Sequence, residues 1–365
     1  MTARWEPAWL AGAARQHDAL LPLLPTEGWA SLVPALQLWD MWPLADPDGA
    51  PVVERSRTLW FFLAAPRGET PDDRHYHARI HLLTHGADGW RYHGPALPEG
   101  WTPGTREWSG SAVLREGGAV ELHFTAAGEP GGPQYAQRLF ACTARLAWRD
   151  GTPVLADWTA PVETARADGN WYRPAAQDAL VDGRLTGFRD PGFFRDPADG
   201  AEYLVFTGSA GWLDASYGGV VGIARREGER WTVLPALVEA IGVATELERP
   251  HLLARAGRYY LFWSTPAHRF APEVHAPTGL YGMTAPSLAG RWAPLNGTTL
   301  VAANPAAGPA QAYCWWVTGE LDVLSFVDLP GAVGVPDRRF AGVPAPFFRL
   351  SLAGDRATIL PGSPG

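Results

Sequence analysis

Apolar and polar positions along this chain alternate in short bursts rather than in helical turns. Thr58–Ala65, Tyr76–Thr84, Ser111–Leu114, Val120–Ala126, Gln137–Trp148, Tyr203–Gly208, Val220–Ala224, Tyr259–Ser264 and Val323–Val327 are brief runs rich in β-branched or aromatic residues. Gly, Pro, Asp and Asn cluster between them, so each run predicts a strand. In Leu114–Phe124 (LREGGAVELHF) and His251–Phe262 (HLLARAGRYYLF) a polar, Gly-containing loop separates two apolar runs, which predicts hairpins. One short helix is expected near Trp9–His17, inside a helical N-terminal segment of about residues 1–25. Helix-period patterns long enough for βαβ units are absent, which argues against a doubly wound sheet. Hairpins at this density fit an all-β propeller, barrel or sandwich.

No shift in composition marks a linker, and Gly128–Pro133 (GEPGGP) reads as a surface loop, so one domain spanning residues 1–365 is expected. Four-stranded blades of roughly 50–70 residues would divide that length into about five, within the range of propellers. The 41 Gly and 34 Pro agree with a turn-rich fold.

Charge and cysteine content remove several function classes. The formal net charge is −8, the chain contains no Lys, and its 30 basic residues are all Arg without a basic run. A phosphate-backbone ligand is therefore a poor match, and no nucleic-acid partner is expected. Cys142 and Cys314 form no CxxC or Cys/His cluster and are read as buried free thiols, with a single bridge between them left open. No apolar run approaches a membrane span, so no membrane partner is expected. Met1–Pro25 mixes Trp and Leu with Arg and Glu, unlike the continuous core of a signal peptide. The expectation is a cytoplasmic protein, or one secreted without a recognisable signal peptide. The 18 Trp imply either a very aromatic core or indole faces held where flat apolar surfaces are needed, as in sugar stacking.

Three acidic sites sit in aromatic or Arg-containing surroundings. They are Asp40 in Trp39-Asp40-Met41-Trp42-Pro43, Asp190 in Phe188-Arg189-Asp190-Pro191, and the pair Glu246 and Glu248 in Glu246-Leu247-Glu248-Arg249-Pro250-His251. A carboxylate beside Trp is partly desolvated, which raises its pKa and suits it to acid/base or nucleophilic work. Taken alone, Asp190-Pro191 also reads as a turn, and Glu-x-Glu as the solvent face of a strand. Asp40, between two indoles, fits neither a turn nor a solvated face. Together the acids fit glycoside chemistry, which needs a carboxylate pair across a sugar ring.

These stretches, in this order and together with EWSGSA at Glu107–Ala112, resemble the motifs of levansucrase-type fructosyltransferases, glycoside hydrolase family 68. YYLFWS at Tyr259–Ser264, HRF at His268–Phe270, GLYG at Gly279–Gly282 and PLNGTTLV at Pro294–Val301 extend the resemblance from about Arg4 to Val327. The resemblance implies a five-bladed β-propeller with a central funnel-shaped active site. It implies sucrose as fructosyl donor, and fructo-oligosaccharides, fructan or water as acceptor. By the same resemblance Asp40 is the nucleophile, Glu248 the general acid/base and Asp190 the transition-state stabiliser. Arg189 and Glu246 bind sugar hydroxyls, Trp39 and Trp108 form apolar walls, and Ser109 supports the nucleophile by hydrogen bonding. His268 and Arg269 belong to the leaving-group side, and Tyr313 to the acceptor side.

The chain departs from the family at several points. Thr245 stands where calcium-binding relatives carry Asp, so no metal is expected, and no cofactor either. Thr207 and Ser209 replace the Glu and Asn of many members, and Cys314 and Trp315 follow Tyr313 in place of the usual pair. Loss of those acceptor-side contacts and the short chain favour hydrolysis or short products over long polymer. A β-fructofuranosidase or fructan hydrolase is the second enzyme reading. A non-catalytic sugar-binding propeller is the alternative of another class.

Overall fold

The computed structural model describes residues 2–361 apart from 69, 181–183, 214–215 and 337. The fold is all-β. Its strands form five antiparallel meanders, the first running Leu36–Ala45, Arg57–Pro66, Arg79–Gly86 and Gly89–Pro95. The second is Arg106–Leu114, Ala119–Ala127, Gln137–Arg149 and Thr152–Ala156, and the third is Phe188–Arg195, Glu202–Ser209, Gly219–Glu227 and Arg230–Glu239. The fourth starts with Glu248–Arg255, Arg258–Thr265 and Gly279–Ala285, and the fifth includes Ala312–Val317, Asp322–Val327, Phe348–Ala353 and Arg356–Ile359. The leading strands touch one another in chain order, and the fifth touches the first. A short parallel pairing, Leu44 with Ala112 and Ala45 with Val113, joins the first two meanders.

Every leading strand carries one residue too many for its partner. In the first, Trp39 faces Leu63 and Met41 faces Phe62, which leaves Asp40 unpaired. The same slip occurs between Trp108 and Gly110, Arg189 and Gly192, Glu248 and His251, and Tyr313 and Trp316. These are β-bulges, which bend a strand and redirect a side chain. Four hold a non-Gly residue at positive φ: Asp40 (40°), Asp190 (62°), Arg249 (51°) and Cys314 (55°). Such backbone is strained for an L-residue and persists only where surrounding structure enforces it. Pro191 and Pro250 fall inside two of the bulges, where a missing N–H costs no ladder bond.

The expected helix near Trp9–His17 is not continuous. It is replaced by one α-turn, Pro7–Leu10, and two 3-10 turns, Ala13–Arg15 and His17–Ala19. Gly12 weakens the helical run, and both flanks are captured by other strands. Ala3–Arg4 pairs in parallel with Val238–Glu239, and Leu20 bridges to Ala303. Trp5 packs edge-on to Trp263 at 5.0 Å, so the segment straps the third and fourth meanders together. The expected strand Tyr76–Thr84 begins only at Arg79. Its first residues form the 3-10 turn Pro71–Tyr76, closed by a reciprocal Thr70–Asp73 capping box. Cys142 and Cys314 are both free and buried, as expected.

Close backbone approach sets one composition rule. A Cβ at Gly192 would lie 2.5 Å from the Pro250 carbonyl oxygen, so the third and fourth leading strands meet only because this position is Gly. Gly192→Ala is expected to cost about 1–3 kcal/mol by overpacking, read as a lowered Tm. An unchanged Tm would show that the two strands can separate freely.

Candidate active site

The bulges deliver charged side chains from different meanders to one buried cluster. Arg189 is its centre. Its Nη2 donates to Glu246 Oε2 at 2.5 Å and to Glu248 Oε1 at 2.6 Å, while Nε lies 3.5 Å from Asp190 Oδ2. One guanidinium thus faces three carboxylates, and their combined charge outweighs burial to hold Arg189 protonated. Its Nη1 is buried and has no hydrogen-bond partner.

Glu246 and Glu248 lie two residues apart yet are tuned in opposite directions. Burial favours the neutral form of both. At Glu246 the charges of Arg189, Arg269 and His268 outweigh burial and hold the carboxyl below its ordinary range. Arg269 Nε reaches Glu246 Oε1 at 2.6 Å. Glu248 gains less compensation. Burial, then the neighbouring Glu246 charge, push it up to about 7 against Arg189, and the Tyr313 hydroxyl, which donates to Oε2, pulls it back slightly.

Asp190 is held by hydroxyls. Ser109 Oγ donates to Oδ1 at 2.6 Å and Thr207 Oγ1 to Oδ2 at 2.8 Å, while the Asp190 N–H donates to Thr125 Oγ1 at 2.9 Å. This corrects one expectation. Ser109 bonds Asp190 rather than Asp40, because the second and third leading strands meet face to face there. A neighbouring serine shows the same contact: Ser111 Oγ donates to the Pro191 carbonyl and accepts from the Phe193 N–H. Thr207 is fully buried and committed to Asp190, so it presents nothing to an acceptor. Ser209 is half-buried, its Oγ accepting from the Gly187 N–H at 2.9 Å.

Asp40 sits across the first leading strand from this group. Burial raises its carboxyl above the ordinary range. Arg249 opposes the rise, Asp190 adds to it, and a Cys314 thiol hydrogen bond and the Arg74 charge act with Arg249. Arg249 Nη1 lies 4.0 Å from Asp40 Oδ1, and Nη2 donates to the Met41 carbonyl at 2.7 Å. The guanidinium lies over the Trp42 and Trp316 rings, with centroids at 5.6 and 5.3 Å, which offsets part of its desolvation. Cys314 is kept protonated by burial and the Asp40 charge, and so serves as a donor.

Trp39 and Trp108, expected as apolar walls, are both buried and engaged by neighbouring groups. Trp39 is 1% exposed, its face under the Arg74 guanidinium at 5.6 Å and its ring edge-on to His75 at 5.9 Å. Its indole N–H has no partner. Trp108 donates to the His75 carbonyl at 3.2 Å and lies under Arg106 at 5.2 Å. His268 is exposed on the 3-10 turn Ala267–Arg269 beside Glu246, while Arg269 turns inward.

Arg249, Arg74, His75 and Thr125 escaped the sequence reading. Arg249 carried a signal, since a cation directly before Pro in an otherwise apolar strand marks a bulge that must aim it somewhere. Arg74 and His75 lie in Pro71–Tyr76, whose apolar neighbours read as the start of a strand. Thr125 is an alternating strand residue with nothing to distinguish it.

The levansucrase/invertase family model matches residues 25–214 and 209–361. A levansucrase of Pseudomonas syringae pv. actinidiae is 31% identical over 366 residues, covering 88% of this chain and 82% of its own length. A levansucrase of Erwinia amylovora is 30% identical over 367 residues, covering 88% and 86%. Among solved structures, an inulosucrase from Halalkalicoccus jeotgali bound to kestose superposes with a TM-score of 0.89 at 32% identity, covering 98% of this chain and 95% of the other. A β-fructofuranosidase from Microbacterium saccharophilum shares the fold, with a TM-score of 0.86 at 24% identity. With its family motifs on the leading strands and matches of this extent, the chain belongs to the levansucrase/invertase family, glycoside hydrolase family 68.

Proposed function

We propose that the chain is a retaining fructosyl-transferring enzyme that cleaves sucrose, with the five meanders as blades of one five-bladed propeller and its funnel at the leading strands. The observation that carries this reading is the opposed tuning of acids around Arg189, with Glu248 near 7 and Glu246 held low. A glycosidase needs one carboxyl protonated near neutral pH beside others that stay ionised. The relatives' names as levansucrase and inulosucrase supply the donor class.

In this mechanism the fructosyl ring lies between Asp40 and Glu248. The Asp40 carboxylate attacks the anomeric carbon as the bond to the glucosyl oxygen breaks, and Glu248 gives that oxygen its proton, releasing glucose. Glu248, now ionised, takes a proton from water or an acceptor hydroxyl, whose oxygen displaces Asp40. Two inversions give retention. Arg249 favours the ionised nucleophile, and Asp190, fixed by Ser109 and Thr207, faces the positive charge that develops on the ring. Arg269 and His268 stand on the leaving-group side and Tyr313 on the acceptor side.

The buried commitment of Thr207 to Asp190 favours water or short acceptors over long polymer. Incubation with sucrose is expected to release glucose, with free fructose close to equal to it. A large fructose deficit with polymer would assign the chain to polymer synthesis instead. Asp40→Ala is expected to lower glucose release by about 10⁴-fold or more. Turnover near the unsubstituted rate would overturn the assignment of Asp40.

The pH dependence has a definite sign. Glu248 must be protonated to act, so kcat/KM is expected to fall as pH rises through about 7. Tyr313→Phe removes a bond that stabilises the Glu248 anion, so the alkaline limb should move to higher pH. A limb that stays in place, or moves down, would separate Glu248 from that ionisation.

A further inference from the structure

Of the indoles, only Trp171 and Trp212 are exposed by more than a third, at 39% and 47%, and these two touch each other. Their ring centroids are 6.4 Å apart at an interplanar angle of 78°, which makes a corner of one indole face and one indole edge. Both lie in loops, yet the backbone beneath them is fixed. Asp168 Oδ1 accepts from the N–H groups of Asn170, Trp171 and Tyr172 at 3.1, 2.8 and 3.0 Å. The Gly211 N–H donates to the Trp171 carbonyl at 3.1 Å, and Tyr172 bridges to Ala210. Adding a Cβ to Gly211 would bring it 2.5 Å from the Asn170 carbonyl oxygen, so the two loops are locked at van der Waals distance. Burying one of these rings fully in the core would gain about 1.5–3 kcal/mol, so exposure of both on a rigid support is a stability cost without a structural return.

Their place on the fold ties them to the site. Trp212 follows Glu202–Ser209, the strand whose Thr207 holds Asp190, at the end that leaves the cluster. Trp212 lies five positions after Thr207, a reach of at most ~18 Å. Arg173 N–H donates to the Ser209 carbonyl at 2.9 Å, and Ser209 Oγ accepts from Gly187, three residues before Asp190. The corner thus stands on the rim of the third meander, beyond the strand end at which Thr207 is buried and committed to Asp190.

We propose that Trp171 and Trp212 form a carbohydrate-binding corner that holds a fructose oligomer or fructan chain outside the catalytic pocket. Aromatic faces bind the C–H patches of sugar rings while the hydroxyls stay in water, which suits a rim position and demands no charge. The assignment rests on the fructosyl-transfer reading for its choice of sugar. Its physical basis, two preorganised exposed indoles on the rim, does not depend on turnover.

The test separates the two. Native gels containing levan or inulin report binding without catalysis. Asp40→Ala protein is expected to be retarded by at least one of these polymers, and addition of Trp171→Ala and Trp212→Ala is expected to abolish that retardation with the circular dichroism spectrum unchanged. In otherwise unsubstituted protein, Trp171→Ala/Trp212→Ala should leave initial glucose release from sucrose within about two-fold. Single Trp171→Phe and Trp212→Phe variants, which keep an aromatic face, should retain most of the retardation. Equal retardation with and without the indoles overturns the proposal. So does a double variant that changes only the sedimentation coefficient, which would make the corner a contact between copies. Absence of sucrose cleavage in unsubstituted protein would sink the enzymatic reading, while the gel shift would still decide the corner.

Discussion

Four carboxylates, Asp40, Asp190, Glu246 and Glu248, converge in a space largely closed to water, and their mutual repulsion is the constraint around which this site is built. In a medium of low effective dielectric, like charges at hydrogen-bonding range cannot all ionise without compensation. Arg189 supplies most of it, since a single planar guanidinium can present several donors at fixed angles where an ammonium would offer a point charge. Because it shares one nitrogen between Glu246 and Glu248, the compensation is incomplete. Arg269 completes it for Glu246, and Glu248 is left with the deficit. The proposed acid is therefore the residue that the cation network neglects.

Backbone geometry makes this convergence possible. A regular strand would send successive side chains to opposite faces, so Arg189 and Asp190, or Glu248 and Arg249, could not both serve one cluster. The extra residue at each register slip turns one side chain back toward its neighbour's face. Its repetition in all five leading strands gives every meander a redirected side chain at the same level. The positions are filled by Asp40, Ser109, Asp190, Arg249 and Cys314, five residues of four chemistries on one backbone device. Positive φ at four of them is strain that the packed strands must hold, and Gly192 against Pro250 shows how closely they do so.

The strand-rich class and the acids were legible because each left a local mark: short apolar bursts, punctuation by Gly and Pro, and acids embedded among indoles. The leading strands Leu36–Ala45, Phe188–Arg195 and Ala312–Val317 were harder to see as strands. Their alternation is broken by the bulged residue and by Pro, so the feature that makes them functional erases their periodicity. Ser109 was attached to the wrong acid for a related reason: its partner depends on which strands become neighbours, and no motif states that. The N-terminal helix failed because Gly12 and pairing with distant strands outcompeted local propensity. Arg74 and His75 lay unseen in a turn that reads locally as a strand.

Departures from family residues then change meaning with the geometry. Thr207 and Ser209, in place of longer polar side chains, read from sequence as lost acceptor contacts. In the structure they are spent inward, Thr207 on Asp190 and Ser209 on Gly187, which stiffens the support of the proposed transition-state stabiliser. A longer side chain at residue 207 could reach the pocket only by giving up that bond, so gripping an acceptor and holding Asp190 compete for one position. The chain resolves the competition in favour of Asp190. Any affinity for a longer sugar must then come from surfaces beyond the strand end, where water is abundant and hydrogen bonds yield little net energy. Apolar stacking is the interaction that keeps its strength there, and the two exposed indoles are the groups on that rim able to supply it.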